Sequence, residues 1–211
     1  MKKHLVLALA LAAAPFAASA GPLSYSYIEV GYMRTEIDDL DGYGDGFAIN
    51  GSVEINDMFH AFGGYEMQDA GEDGVAVDLD QLRLGLGYRY AVSDRTDLVA
   101  RGAYERAESD IRVDDGEFGG DYNADGNGYS LEIGLRSALT DMLEVSVLGG
   151  YADVTSGRID GDSIEVDGDD SDQLYGRLGA QLKFNPTWGI VGEGMFAKDV
   201  TQLFVGVRAS F

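Results

Sequence analysis

Asp121, Asn123 and Asp125 are the residues of this chain whose types and spacing come closest to a recognisable chemistry. With Gly126 behind them and Glu132 six places beyond it, they match D-x-[DN]-x-[DN]-G-x5-E, the pattern of a calcium loop. In such a loop, oxygen ligands at alternate positions wrap a hard cation and the glycine makes the sharp turn. No helical periodicity flanks the stretch, so an EF-hand is excluded. Glu132 falls in an alternating run, on the face opposite Leu131 and Ile133. The expectation is therefore a Ca2+ site at Asp121, Asn123 and Asp125 without Glu132, and no other cofactor. The plainer expectation for so much acid is a solvated, mutually repelling crown that keeps the chain soluble in transit. Further carboxylates support either reading: Glu36, Asp38, Asp39, Asp41 and Asp45; Asp69, Glu72, Asp73 and Asp78; Asp110, Asp114, Asp115 and Glu117; Asp160, Asp162, Glu165, Asp167, Asp169, Asp170 and Asp172.

Catalytic signatures are missing. There is no G-x-S-x-G elbow, no H-E-x-x-H pair and no phosphate-cradling glycine loop. Without cysteine there is no disulfide and no thiolate chemistry. A formal charge of −22 opposes binding to nucleic acid. These features predict a chain that is not an enzyme.

The elements that must position these residues are strands. Ten runs alternate with period 2, at residues 25–35, 46–55, 59–68, 80–92, 97–109, 128–139, 143–155, 173–184, 188–197 and 201–211. Each is close to the ~9–11 residues with which a tilted strand crosses a bilayer. The connections at 56–57, 93–96, 140–142 and 185–187 are tight, and those at 36–45, 69–79, 110–127 and 156–172 are long. Short turns on one side and long loops on the other define an up-and-down antiparallel transmembrane β-barrel. Ten strands are expected. Eight is the competing count, with 188–197 the weakest run.

The faces of the runs agree with a barrel. One face carries aliphatic residues such as Ile28, Val30, Leu84, Leu86, Leu131, Ile133, Val205 and Val207. The other carries seven acids (Glu29, Glu54, Glu66, Glu105, Glu132, Glu144 and Glu193) and seven bases (Arg83, Arg89, Arg101, Arg136, Arg177, Lys183 and Arg208). A soluble sandwich would turn the apolar face inward and give its charges to water. A barrel in lipid inverts this, and confined charges must then pair. Glu66, on the third run, is one acid expected to lie near Arg83 on the fourth. Outward aromatics gather near the loop end (Tyr32, Phe47, Tyr65, Tyr104, Tyr129, Tyr151 and Phe196) and near the turn end (Phe59, Tyr90, Phe184, Trp188 and Phe211), as two interfacial belts require. A lumen so filled predicts a plugged barrel with a structural or interaction role at the cell surface. A narrow channel for small solutes is the alternative.

The ends of the chain place it. Residues 1–20 read as a secretory signal: Lys2 and Lys3, an apolar run from Leu5 to Ala14, then Ala18-Ser19-Ala20 as the cleavage site. The barrel domain is then 21–211, and losing both lysines takes the charge to −24. The stretch from Thr201 to Phe211 alternates and stops on an aromatic. It resembles the terminal strand by which outer-membrane barrels are read by the barrel-assembly machinery. The expected location is the cell outer membrane of a Gram-negative cell, as a monomer in contact with membrane lipid and lipopolysaccharide. His60, the one histidine beyond the signal, falls at the turn end. In omptin-type barrel proteases the histidine is near the outer rim, so His60 is expected to be an interior hydrogen-bonding group.

Two segments carry a more specific likeness. Residues 23–35, LSYSYIEVGYMRT, and 48–66, AINGSVEINDMFHAFGGYE, resemble a family of small outer-membrane β-barrels of xanthomonads and relatives. Its members are labelled sulfation-dependent quorum factor or diffusible-signal-associated protein. The resemblance implies the barrel fold. It also implies a part in quorum or virulence signalling, as precursor or component, through a sulfated tyrosine that by position is Tyr25.

Overall fold

The computed structural model describes residues 22–37, 43–72, 75–113, 120–159, 162–164 and 172–211. The signal reading of 1–20 lies outside these residues. So do Asp38, Asp39, Asp41, Asp73, Asp114, Asp115, Glu117, Asp160, Glu165, Asp167, Asp169 and Asp170, and the side chains of Glu72, Asp162 and Asp172.

Every described element is a strand. They are β1 (Tyr27–Ile37), β2 (Tyr43–Glu54), β3 (Phe59–Glu72), β4 (Val75–Ser93), β5 (Thr96–Val113), β6 (Gly120–Ala138), β7 (Leu143–Ile159), β8 (Asp162–Ile164), β9 (Asp172–Lys183), β10 (Trp188–Ala197) and β11 (Val200–Ser210). All pairings are antiparallel. Apart from β8, neighbours in sequence pair, β7 pairs with β9, and β1 pairs with β11, so ten strands close a barrel with no free edge. The short β8 pairs only with the upper end of β7 and stands outside the ring. The count of ten holds and eight is excluded.

Hydrophobic periodicity runs outward, as lipid requires. Leu131 is 64 % exposed while the next residue, Glu132, is 4 % exposed. Both aromatic belts lie on the outer surface, with Tyr32 packed edge-on to Phe47, Tyr104 edge-on to Tyr129, and Phe59 against Tyr88. Glycine admits side chains to the narrow interior. At Gly87 the His60 ring occupies the space where a Cβ would project.

The wall is uneven in height. The 10 residues of β10 give about 33 Å of strand, enough for a tilted crossing of a ~25 Å apolar band. The 19 residues of β4 and of β6 give about 63 Å. This is longer than the run lengths read from sequence, because polarity inverts above the tyrosine belt. There Val77, Leu79 and Ile111 turn inward, and Asp78, Asp80, Glu108 and Asp110 turn outward. The stretches expected to be long loops at 69–79 and 110–127 are mostly strand, a sheet for lipid below and for water above.

Candidate functional site: the charged lumen and its stopper

Residues 22–26 do not join the wall. The sequence suggested a first strand from Tyr25; instead β1 starts at Tyr27, and Leu23, Ser24 and Tyr25 fold into the turn-end mouth, all buried. The Tyr25 hydroxyl donates to Asp97 at 3.0 Å. Its ring lies between the guanidiniums of Arg89 and Arg136, each 4.7 Å from the centroid, and against His60 at 4.7 Å. Arg136 donates to the Ser24 carbonyl at 2.8 Å, and Lys183 to the Pro22 carbonyl at 2.6 Å. Leu23 and Tyr25 complete an apolar cluster with Val99, Ala138 and Leu148. The segment also ties down Phe211, whose amide donates to the Ser26 carbonyl at 2.9 Å. Tyr25 lies before the first spanning strand. Burial raises its hydroxyl's pKa, against the pull of Arg136 and with the help of Asp97, so the proton stays on and the bond persists. A signal lay in parity, since Tyr25 falls on the same face as Tyr27 and Glu29.

Deeper in, Glu132 is the hub. Its carboxylate meets Arg83 at 3.1 Å, Arg101 at 2.7 Å and Arg177 at 2.9 Å, and accepts from the Tyr175 hydroxyl at 2.9 Å. Arg83 also pairs with Glu105 at 3.2 Å, and Arg177 with Glu193. Nearer the stopper, Arg136 and Lys183 share Glu144 and Arg89 pairs with Glu54. At the β1–β11 seam Arg208 meets Glu29 at 2.6 Å, where the register places them opposite each other. All fourteen predicted interior charges point inward, and Asp97 joins them. Arg83 binds Glu105 and Glu132 rather than Glu66, which accepts from Gln202 at 3.4 Å and has no ion pair among the described residues. An apolar cluster of Met33, Ala48, Val191 and Phe204 also packs within the lumen.

Asp121, Asn123 and Asp125 lie on the outer face of β6, above the tyrosine belt. They face Arg112, Asp110 and Glu108 in register. On extended strand, same-face neighbours stand about 7 Å apart, so the three carry their oxygens in a line and do not wrap a point. Among the described residues no three metal-ligating side chains converge. Glu132 is remote from this array, inside the barrel. His60 sits at the turn end behind Tyr25, as its position suggested.

A closed ring of strands, apolar toward lipid and ion-paired within, defines a transmembrane β-barrel. The chain belongs to the outer membrane protein beta-barrel domain family, whose match spans residues 4–167, and it is a protein of the cell outer membrane. No curated protein matches it. Among solved structures it is similar to the translocator domain of the autotransporter NalP from Neisseria meningitidis, with 13% identity over 99% of this chain and 96% of that one and a TM-score of 0.55. It is also similar to the beta domain of the Bordetella autotransporter BrkA, with 16% identity over 90% and 100% and a TM-score of 0.52. A third is the transport unit of the autotransporter AIDA-I from Escherichia coli, with 12% identity over 98% and 97% and a TM-score of 0.52. At such identities the likeness is one of fold.

Proposed function

We propose that this chain is a sealed, non-enzymatic outer-membrane barrel whose role is structural or interaction-based and is exercised at the cell surface. The observations that support the reading are the packing of residues 22–26 into the turn-end mouth and the ion pairs of Glu132 with three guanidiniums. A general solute path needs a continuous wet bore, and here charged side chains close on one another. The tall, acid-faced wall of β4–β6 then offers the surface for contact, and lipopolysaccharide is the proposed neighbour at the tyrosine belt. The barrel-assembly machinery is the proposed partner of the stretch from Thr201 to Phe211; deleting Phe211 should slow membrane assembly, and an unchanged yield would remove that partner.

A swelling assay tests the sealed lumen. Proteoliposomes loaded with an impermeant polymer should not swell in an isotonic solution of a small neutral sugar. Rapid swelling would favour the narrow solute channel. A signalling role through sulfated Tyr25, as the xanthomonad resemblance implies, fares less well. In the assembled barrel that hydroxyl is held against a carboxylate, so a sulfate there would need the segment withdrawn.

A further inference from the structure

Behind Tyr25 lies a small chamber of about 60 Å3, lined among others by Ser52, His60, Arg101, Arg136, Glu193 and Arg208. Three of its wall residues bring buried polar atoms with no hydrogen-bond partner among the described residues: Ser52 Oγ, His60 Nδ1 and Arg101 Nε. Arg101 Nε can only donate, and the other two can each donate. Such groups are costly to leave unsatisfied, so an occupant is called for.

The charges indicate its sign. Three guanidiniums and one carboxylate line the chamber, and that carboxylate, Glu193, is engaged by Arg177. Two of the three guanidiniums share their ion-pair partner with other bases. Arg101 has one ion pair, with Glu132, which also serves Arg83 and Arg177. Arg136 pairs with Glu144, which also serves Lys183. Unsatisfied donors beside three guanidiniums, with the one lining carboxylate already paired, suit an anion better than a cation. The cavity is large enough for a small hydrated anion. We propose that the chamber between Tyr25 and the Glu132 layer binds a small monovalent anion, chloride in practice, which satisfies the unpartnered donors beside Arg101 and Arg136. This goes beyond the sealed-barrel reading and stands apart from it, since a conducting barrel could hold the same ion.

The test uses the mature barrel refolded in detergent micelles. Its urea midpoint should rise saturably with sodium chloride relative to sodium gluconate at equal ionic strength. Ser52→Ala/His60→Phe removes two donors and leaves every ion pair intact, and should weaken the apparent chloride affinity at least tenfold. Crystals of the wild-type protein grown in bromide should show anomalous density in the chamber, a result independent of whether the variant folds. Equal midpoints in the two salts, or a chamber holding water without bromide, would overturn the proposal.

Discussion

Glu132→Gln is the most informative single change to the interior. Its side chain is 1% exposed and meets three guanidiniums within 3.1 Å. Amide replaces carboxylate at almost the same volume, so packing is preserved and charge alone is lost. Arg83 keeps Glu105 and Arg177 keeps Glu193. Arg101 keeps no ion pair, and it lies directly across the β5–β6 ladder from position 132. One orphaned buried charge costs ~3–5 kcal/mol. The expected loss is therefore about that much, not three times that much. The assay is urea unfolding in lipid vesicles, as a double-mutant cycle with Arg101→Met. Removing both partners should restore most of the loss, because no unpaired charge remains. Leu84→Arg makes the contrast. It should cost ~2–4 kcal/mol by placing a charge toward lipid at mid-depth, and neutralising an interior acid should not rescue it. A neutral Glu132→Gln, or a double variant as unstable as the sum of the singles, would refute the ion-pair layer as a buried network.

Other outcomes follow from the same geometry. Arg83→Met should be relieved by Glu105→Gln and not by Glu66→Gln, measured in the same vesicles. Tyr25→Phe should cost ~1.5–3 kcal/mol, the worth of a hydrogen bond to a charged group. Because folding raises the Tyr25 pKa, that contribution is complete below the ordinary tyrosine pKa of ~10 and is lost as pH rises above it. The gap between wild type and Tyr25→Phe should thus narrow in alkali; a constant gap would mean that the hydroxyl bond is not its source. Calorimetry with Ca2+ should give heat above a monovalent-salt control if the acidic face of β6 gathers cations, and Asp121→Asn/Asp125→Asn should reduce it. Heat unchanged in that variant would leave only a diffuse acidic crown.

Sequence revealed the spanning part of each strand because lipid enforces one rule there, apolar outward, and Leu84, Leu131 and Val205 obey it. Above the belt the rule reverses. Asp78 and Asp121 then read as loop residues although they sit on strands. Interior charges were legible from parity alone. Their partners were harder to read, since they depend on strand register: Glu105 lies directly opposite Arg83, and Glu132 directly opposite Arg101. The stopper was hidden for another reason: Tyr25 keeps the alternation of β1, and only packing shows that the backbone has left the wall.

Planar-bilayer recording tests the sealed lumen most directly. The wild-type barrel should insert without steady conductance, while a variant lacking residues 22–25 and carrying Glu132→Gln/Arg101→Met should conduct, both seals having been loosened. A steady ohmic current through the wild-type protein would contradict the sealed barrel and make the chain a narrow channel.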